Sequence, residues 1–138
     1  MGVAVRRMIC IFPILLLAAL LAACATKTTV LGSPQANDGK FERINPGKLT
    51  ISFTRYLDTY VALNYTFATR LNTTPQDGYQ AMLVRSDFGA AYVLIKNGLY
   101  ADELSRLRKG DMIQVYGHVT ASRLPTDTLP KITIIIDQ

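Results

Sequence analysis

The feature that most constrains the fold is the alternation of apolar and polar residues in the C-terminal two thirds of the chain. Between residues 61 and 67 every second residue is large and apolar. This spacing puts those side chains on one face of a β-strand. The same spacing at 49–53 predicts an earlier strand, and residues 54–60 then form a bend or a helical turn. Whether 49–59 is a strand or a cap on the sheet stays open.

Further alternating or continuous apolar segments predict that the rest of this region is mainly β. Turn-forming residues separate them, notably in the loops at 72–78 and 123–130. Gly117 interrupts the apolar row of its segment, as expected at a bulge or a tight bend. The additional predicted strands are 79–85, 91–96, 111–119 and 131–137.

One segment has helical rather than strand spacing. Tyr100, Leu104 and Leu107 fall at positions i, i+4 and i+7, on one face of a helix. Acidic residues stand in its first turn and basic residues in its last, which complements the helix dipole. Gly110 is placed to end this helix. The sequence therefore predicts strands, one helix, and then two more strands.

The stretch "LRKGDMIQVYGHV" at 107–119 resembles the L-x-x-G-D-x-V-x-V-x-G-x-V pattern that many OB-fold domains carry. The resemblance implies a small five-stranded Greek-key barrel with one helix between strands 3 and 4. It extends over residues 60–138, within a single domain at 48–138. The predicted strand at 49–53 departs from the pattern. Another small β-barrel and an α+β sandwich are the alternative folds.

The N-terminal residues have the organisation of an export signal. Arg6 and Arg7 precede an apolar run at 9–23 that is shorter than the ~20 residues of a bilayer-spanning helix. This run ends in "LAAC", which resembles the lipobox of bacterial lipoproteins. The resemblance implies that residues 1–23 are removed and that Cys24 carries a diacylglycerol thioether. The alternative is an ordinary secretory signal in which Cys24 is incidental.

The cysteine count agrees with a lipid anchor. The chain has 2 cysteines, and cleavage before Cys24 would discard Cys10, so the mature chain could form no internal disulfide. Several acyl chains give a stable membrane anchor, whereas a single chain does not. Ala25 follows the cysteine, where aspartate retains Gram-negative lipoproteins in the inner membrane. For a Gram-negative source we therefore expect an outer-membrane protein that faces the periplasm.

Residues 24–47 are predicted to be the lipidated cysteine and a flexible tether. The alternative is that part of this segment packs on the domain, with Phe41 and Ile44 as the candidate contacts. Gly, Pro, Ser, Thr, Asn and Asp dominate this segment, and apolar periodicity is absent. A flexible segment of this length would span roughly 25–30 Å. Once Arg6 and Arg7 are removed, 13 Lys and Arg remain against 10 Asp and Glu. A net charge near +3 names no partner by itself.

No residue pattern points to catalysis. The chain has 1 histidine, His118, on the outward face of its predicted strand, and the cysteines and histidine do not have the spacing of a zinc site. Asp102 and Glu103 are adjacent on the predicted helix and therefore point in different directions. We expect no cofactor, no metal and no catalytic residue.

OB-fold domains bind single-stranded nucleic acid with stacking aromatic residues in a basic groove. The corresponding candidates here are Tyr65, Arg70, Arg85, Tyr92 and Lys96. The OB resemblance implies that a ligand lies on the exposed barrel face, near the loops at 72–78 and 123–130. Export would keep the domain away from nucleic acid, and fold alone does not establish function. We therefore predict a lipid-anchored envelope lipoprotein that acts as a non-catalytic binding or assembly module for a protein, glycan or small molecule. The alternatives are an envelope enzyme with an unrecognised site and, without export, a nucleic-acid binder.

Overall fold

Five of the seven strands close into a barrel in this computed structural model, which describes residues 27–138. The predicted signal peptide at 1–23 and the predicted lipidation site Cys24 lie outside the described residues. The strands are β1 (Thr28–Leu31), β2 (Glu42–Arg43), β3 (Tyr60–Arg70), β4 (Tyr79–Ser86), β5 (Gly89–Lys96), β6 (Met112–Ser122) and β7 (Lys131–Ile136). The helices are α1 (Pro46–Ile51), α2 (Phe53–Tyr56) and α3 (Ala101–Arg106), and a single turn covers Ala36–Gly39.

The strand order of the barrel is β3–β4–β5–β7–β6, and β6 pairs back to β3. The β5–β7 contact is parallel, and the other contacts within the barrel are antiparallel. Helix α3 connects the third barrel strand, β5, to the fourth, β6. This order confirms the predicted small Greek-key barrel of the OB type.

The apolar residues that alternate along the strands meet inside the barrel. Val61, Leu63, Tyr65 and Phe67 of β3 belong to one buried cluster with residues of every other barrel strand. Strand β7 crosses close to β6 at Gly117, where an added Cβ would overlap the Ile135 carbonyl oxygen. A glycine interrupts the apolar row at position 117 because the backbones of β6 and β7 approach closely there and leave no room for a side chain.

The prediction of a strand at 49–53 is wrong. Asn45 caps helix α1 by accepting a 2.7 Å hydrogen bond from the Lys48 backbone N–H, and Pro46 occupies the first helical turn. Leu49 and Tyr56 are fully buried at the barrel end, whereas Ile51 is 83% exposed. Residues 46–56 therefore form a helical cap on the barrel, which was the alternative to a strand for this segment.

Residues 27–47 are not the predicted free tether. Strand β2 pairs in parallel with β3, and β1 pairs in parallel with β6 through residues 112–115. Strand β7 pairs with β6 only through residues 118–122, so β1 occupies an edge that β7 leaves open. Leu31 of β1 is completely buried in the core. The sequence did not predict that β1 pairs with β6, because a strand of four residues is too short to show a clear alternation of apolar and polar residues.

Helix α3 is shorter than predicted. It ends at Arg106, and Gly110 instead lies in the following turn with a positive φ of 96°. The Gly110 backbone N–H donates to the Phe67 carbonyl at 2.9 Å, so this turn is held against β3. The buried Leu104 places the helix over the barrel end opposite to α1.

Candidate functional site

A cavity of about 230 Å³ lies between the loop at 71–78, the first residues of β4 and helix α3. Its floor is apolar and contains Met82, Ile95 and Leu104, all of which are buried. Polar side chains lie at its rim. The lining residues are Arg70, Leu71, Asn72, Thr73, Thr74, Tyr79, Gln80, Ala81, Met82, Ile95 and Leu104. An apolar floor with a few polar groups is the usual composition of a small-molecule site.

Arg70 reaches the cavity because the register of β3 shifts between Phe67 and Thr69. Its guanidinium donates to the Leu104 carbonyl and, at 3.5 Å, to the Leu107 carbonyl. Leu104 lies in the last turn of α3 and Leu107 directly follows the helix, so Arg70 binds carbonyls at the C-terminal end of α3. A guanidinium has five N–H donors, so Arg70 keeps donors that could face a ligand. Sequence reasoning selected Arg70, and the structure places it at the rim.

Hydrogen bonds at both ends and within the loop hold residues 71–78 beside the cavity. The Leu71 backbone N–H donates to the Ala81 carbonyl, and the Asn97 N–H donates to the Gly78 carbonyl, both at 2.9 Å. The Thr74 hydroxyl donates to the Gln76 carbonyl at 3.0 Å. Backbone hydrogen bonds at both ends of the loop therefore fix which of its residues face the cavity.

Tyr65 is not a groove residue, contrary to the prediction. It is 4% exposed and belongs to the barrel core. Burial raises the pKa of its phenol well above the ordinary value. The inward direction follows from its place in the alternating row of β3, and that periodicity was the signal against an exposed role.

Tyr92 is also covered, although it lies on the outer face of β5. It is 3% exposed, and its hydroxyl donates a 2.6 Å hydrogen bond to the Asp127 carboxylate. The same carboxylate oxygen accepts from the Leu124 backbone N–H at 2.9 Å. Burial and the neighbouring carboxylate raise the pKa of Tyr92 to about 12. Tyr92 thus fastens the loop at 123–130 to the barrel, and its face is not free for stacking.

Arg85 and Lys96 are exposed, as the groove prediction requires, but Arg85 lies apart from the cavity and Lys96 lies beside it without lining it. Arg85 pairs in register with Ala90 near one end of the β4–β5 hairpin, and Lys96 pairs with Tyr79 at the other end. Neither residue lines the cavity. Of the five predicted ligand residues, only Arg70 lines the cavity.

His118 lies on the outer face of β6, as predicted, and is half-buried at the edge of an aromatic cluster. The rings of Phe41, Tyr60 and Tyr116 form this cluster with His118, and neighbouring ring centroids are 5.3–5.7 Å apart. The Nδ1 atom of His118 is buried and has no hydrogen-bond partner. The sequence offers Phe41 as a tether residue that packs on the domain, but no pattern in it places Phe41 beside Tyr60 and Tyr116.

Sequence reasoning also missed Tyr79 and the threonines of the cavity rim. They stand in or next to the loop predicted at 72–78, and the only available signal was their proximity to that loop. Within residues 27–138, no group of three or more His, Cys, Asp and Glu side chains could hold a metal ion. The same residues include no helix of the length and hydropathy that a membrane span needs.

No protein-family model and no curated protein sequence matches the chain. Solved structures resemble it in fold. An aspartyl-tRNA synthetase from Leishmania major Friedlin superposes with a TM-score of 0.54 at 14% identity, over 88% of this chain and 25% of the synthetase. An aspartyl-tRNA synthetase from Entamoeba histolytica gives 0.46 at 10% identity, over 83% of this chain and 26% of that one.

An OBody bound to hen egg-white lysozyme gives a TM-score of 0.43 at 19% identity, over 61% of this chain and 81% of the OBody. The chain spans about a quarter of the length of the two synthetases. At these identities the likeness to the Leishmania enzyme shows a shared OB-type fold, and it shows nothing about ligand or activity.

Proposed function

We propose that the chain is a lipid-anchored protein of the bacterial cell envelope whose barrel binds a ligand without catalysing a reaction. The anchor is the thioether at Cys24, and the binding site is the cavity under the loop at 71–78. The observation that carries the binding role is this cavity of about 230 Å³, with its apolar floor and polar rim.

The residues at the cavity favour a small molecule with an apolar body and an anionic or polar group. Met82, Ile95 and Leu104 offer an apolar surface. Arg70 supplies a permanent positive charge at the rim, and guanidinium donors pair well with carboxylates. Thr73 and Thr74 add hydroxyl groups on the loop. A protein partner could place one side chain of the same chemistry in this cavity.

The alternatives have less support from these contacts. A nucleic-acid groove needs accessible aromatic faces, but Tyr65 lies in the core and Tyr92 is covered by the loop at 123–130. An enzyme built around His118 needs that side chain in a pocket, whereas its ring packs beside Tyr60 on the outer face. We therefore favour binding over both alternatives.

The anchor is tested by intact mass spectrometry of the membrane-extracted protein and of a Cys24→Ala variant. We expect the wild type to begin at Cys24 with added acyl mass, and the variant to keep its signal peptide and no acyl mass. A wild type that is soluble and begins at an unmodified residue would contradict the anchor and leave the fold unchanged.

The binding site is tested by NMR titration of the isotope-labelled chain with octanoate, a probe with an alkyl body and a carboxylate. We expect shifts of backbone amides at 70–74 and 79–82. Thr73→Trp fills the cavity rim and should abolish them. Gln76→Trp is the matched control, because Gln76 lies in the same loop and does not line the cavity. Shifts confined to other surfaces, or equal in both variants, would contradict this site.

A further inference from the structure

We propose that the turn between α3 and β6 lies against anionic lipid headgroups and orients the barrel on the membrane. We call this turn, residues 106–112, the basic turn. The inference rests on the proposed anchor at Cys24 and names the surface that the anchored domain presents to the bilayer.

The first argument is the length of chain between the anchor and the barrel. Four residue steps separate Cys24 from Thr28, where β1 begins, and they span at most about 14 Å. Thr28 pairs in register with Met112, the first residue of β6. Neighbouring strands are about 4.8 Å apart. The basic turn ends at Met112, so an anchor at Cys24 holds this turn close to the headgroups.

The second argument is charge. Arg106, Arg108 and Lys109 are exposed on the basic turn, and Lys27 is exposed directly before β1. The ion pairs found within residues 27–138 are Lys48–Glu42 and Lys131–Asp127, so none of these four cations is paired there. Basic residues near a bilayer surface are attracted to anionic lipids.

Three acidic residues lie in or near the basic turn and offset part of its charge. The Asp111 carboxylate accepts a 2.8 Å hydrogen bond from the Arg108 backbone N–H and so stabilises the turn itself. Asp102 and Glu103 stand in the first turn of α3, four and three residues before Arg106, and are therefore its neighbours on the helix surface. Arg108, Lys109 and Lys27 therefore carry most of the attraction, which acts together with the short connection to the anchor and the apolar surface beside the turn.

The third argument is the apolar surface beside these cations. Met112 is 39% exposed and Val30 is 42% exposed. Both point away from the core, since their neighbours Ile113 and Leu31 point into it. The register of β1 and β6 puts Val30 two pairs along from Met112, on the same outer face. Apolar side chains flanked by Lys and Arg suit the boundary between headgroups and acyl chains.

This placement fixes the orientation of the barrel. Strand β6 has 11 residues and carries the chain about 33 Å along its curved path from the basic turn to the loop at 123–130. We therefore expect Leu129, which is 74% exposed in that loop, to remain in water. Met112 and Leu129 thus provide a near and a far position for one measurement.

The test uses the full chain with its own signal, as Met112→Cys and Leu129→Cys variants. In the processed and acylated chain the introduced cysteine is the only free thiol, because Cys10 is removed and Cys24 is a thioether. Each variant is spin-labelled, reconstituted in vesicles of phosphatidylcholine and phosphatidylglycerol, and probed by power-saturation EPR with a water-soluble nickel complex. Circular dichroism checks the fold, and intact mass checks acylation of the same samples.

We expect a loss of nickel accessibility at position 112 relative to position 129, and a smaller difference in phosphatidylcholine alone. Equal accessibility at the two positions of an acylated protein would overturn this inference and leave the anchor standing. A difference that does not depend on phosphatidylglycerol would overturn the role of the cations. A chain without acyl mass would overturn both the anchor and the inference.

Discussion

Leu31 lies in register beside Val115 in a parallel strand pair, and neither side chain is accessible to solvent. Leu31 belongs to a segment whose composition is that of a linker, yet it is part of the barrel core. Gly32, the next residue, has φ of 97°, and an added Cβ there would overlap the Tyr116 carbonyl oxygen. The chain therefore leaves the barrel edge only after a close contact that requires glycine.

We predict that Leu31→Ala lowers the free energy of unfolding by about 2–5 kcal/mol, because it leaves a cavity in the core. Urea unfolding followed by circular dichroism measures the change. Val30→Ala is the matched control, since the side chain of Val30 points outward, and we expect a change within about 0.5 kcal/mol. Equal, small effects of both substitutions would mean that β1 is not part of the stable domain.

A second prediction concerns the hydrogen bond from Tyr92 to Asp127. Tyr92→Phe keeps the ring and removes the donor, so we expect a loss of about 1 kcal/mol in unfolding free energy. We also expect faster amide exchange at Leu124, whose N–H shares the carboxylate. Tyr79→Phe serves as control, because the Tyr79 hydroxyl makes no hydrogen bond within residues 27–138 in this structure. Unchanged exchange at Leu124 would show that Tyr92 does not hold the loop.

The same pair predicts how stability depends on pH. The pKa of Tyr92 is about 12 in the folded chain and about 10 for a free tyrosine. Between these values the unfolded chain binds fewer protons than the folded chain, so stability falls as pH rises. At the acid end, the hydrogen bonds from Tyr92 and Leu124 lower the pKa of Asp127. Below about pH 4 the unfolded chain therefore binds more protons than the folded chain. The free energy of unfolding then falls as the pH falls.

Unfolding measured from pH 3 to pH 12 checks both directions. Tyr92→Phe should lose the alkaline component and part of the acidic one, since it removes a titrating phenol and a donor to Asp127. If the variant and the wild type have parallel curves over the whole range, this pair does not contribute to the pH dependence.

Periodicity was sufficient to predict most of the barrel. Rows such as Val61 to Phe67 are long enough to indicate a strand and its buried face, and the pattern at 107–119 indicated the OB order. The same reasoning failed at Leu49 and Ile51, because a spacing of two over three residues cannot separate a strand from a short capped helix. The cap itself, Asn45 followed by Pro46, was the better local signal.

The candidate site was less predictable than the fold. Arg70 is the one predicted ligand residue that lines the cavity. It lies there because the register of β3 shifts between Phe67 and Thr69, and no residue pattern in the sequence predicts that shift. Tyr92 was correctly placed on a strand, but its exposure depends on a loop 35 residues away. Contacts between distant segments decide which side chains on an outer face stay accessible, and alternation alone does not predict them.

The last prediction concerns the buried Nδ1 atom of His118, which has no hydrogen-bond partner. In either neutral tautomer this atom is a donor or an acceptor, and leaving it unpaired away from water is unfavourable. His118→Phe removes the polar atom and keeps a ring beside Tyr60. We therefore expect a gain of about 1 kcal/mol in unfolding free energy, measured in urea at neutral pH.

Gln114→Leu on the same outer face of β6 separates this effect from a general gain in apolar surface. Gln114 is only partly buried and has no unpaired polar atom that is shielded from water, so we expect a change within about 0.5 kcal/mol. Lower stability of His118→Phe would mean that Nδ1 has a partner, such as a bound water. An equal gain in both variants would attribute the effect to hydrophobic surface and not to the unpaired nitrogen.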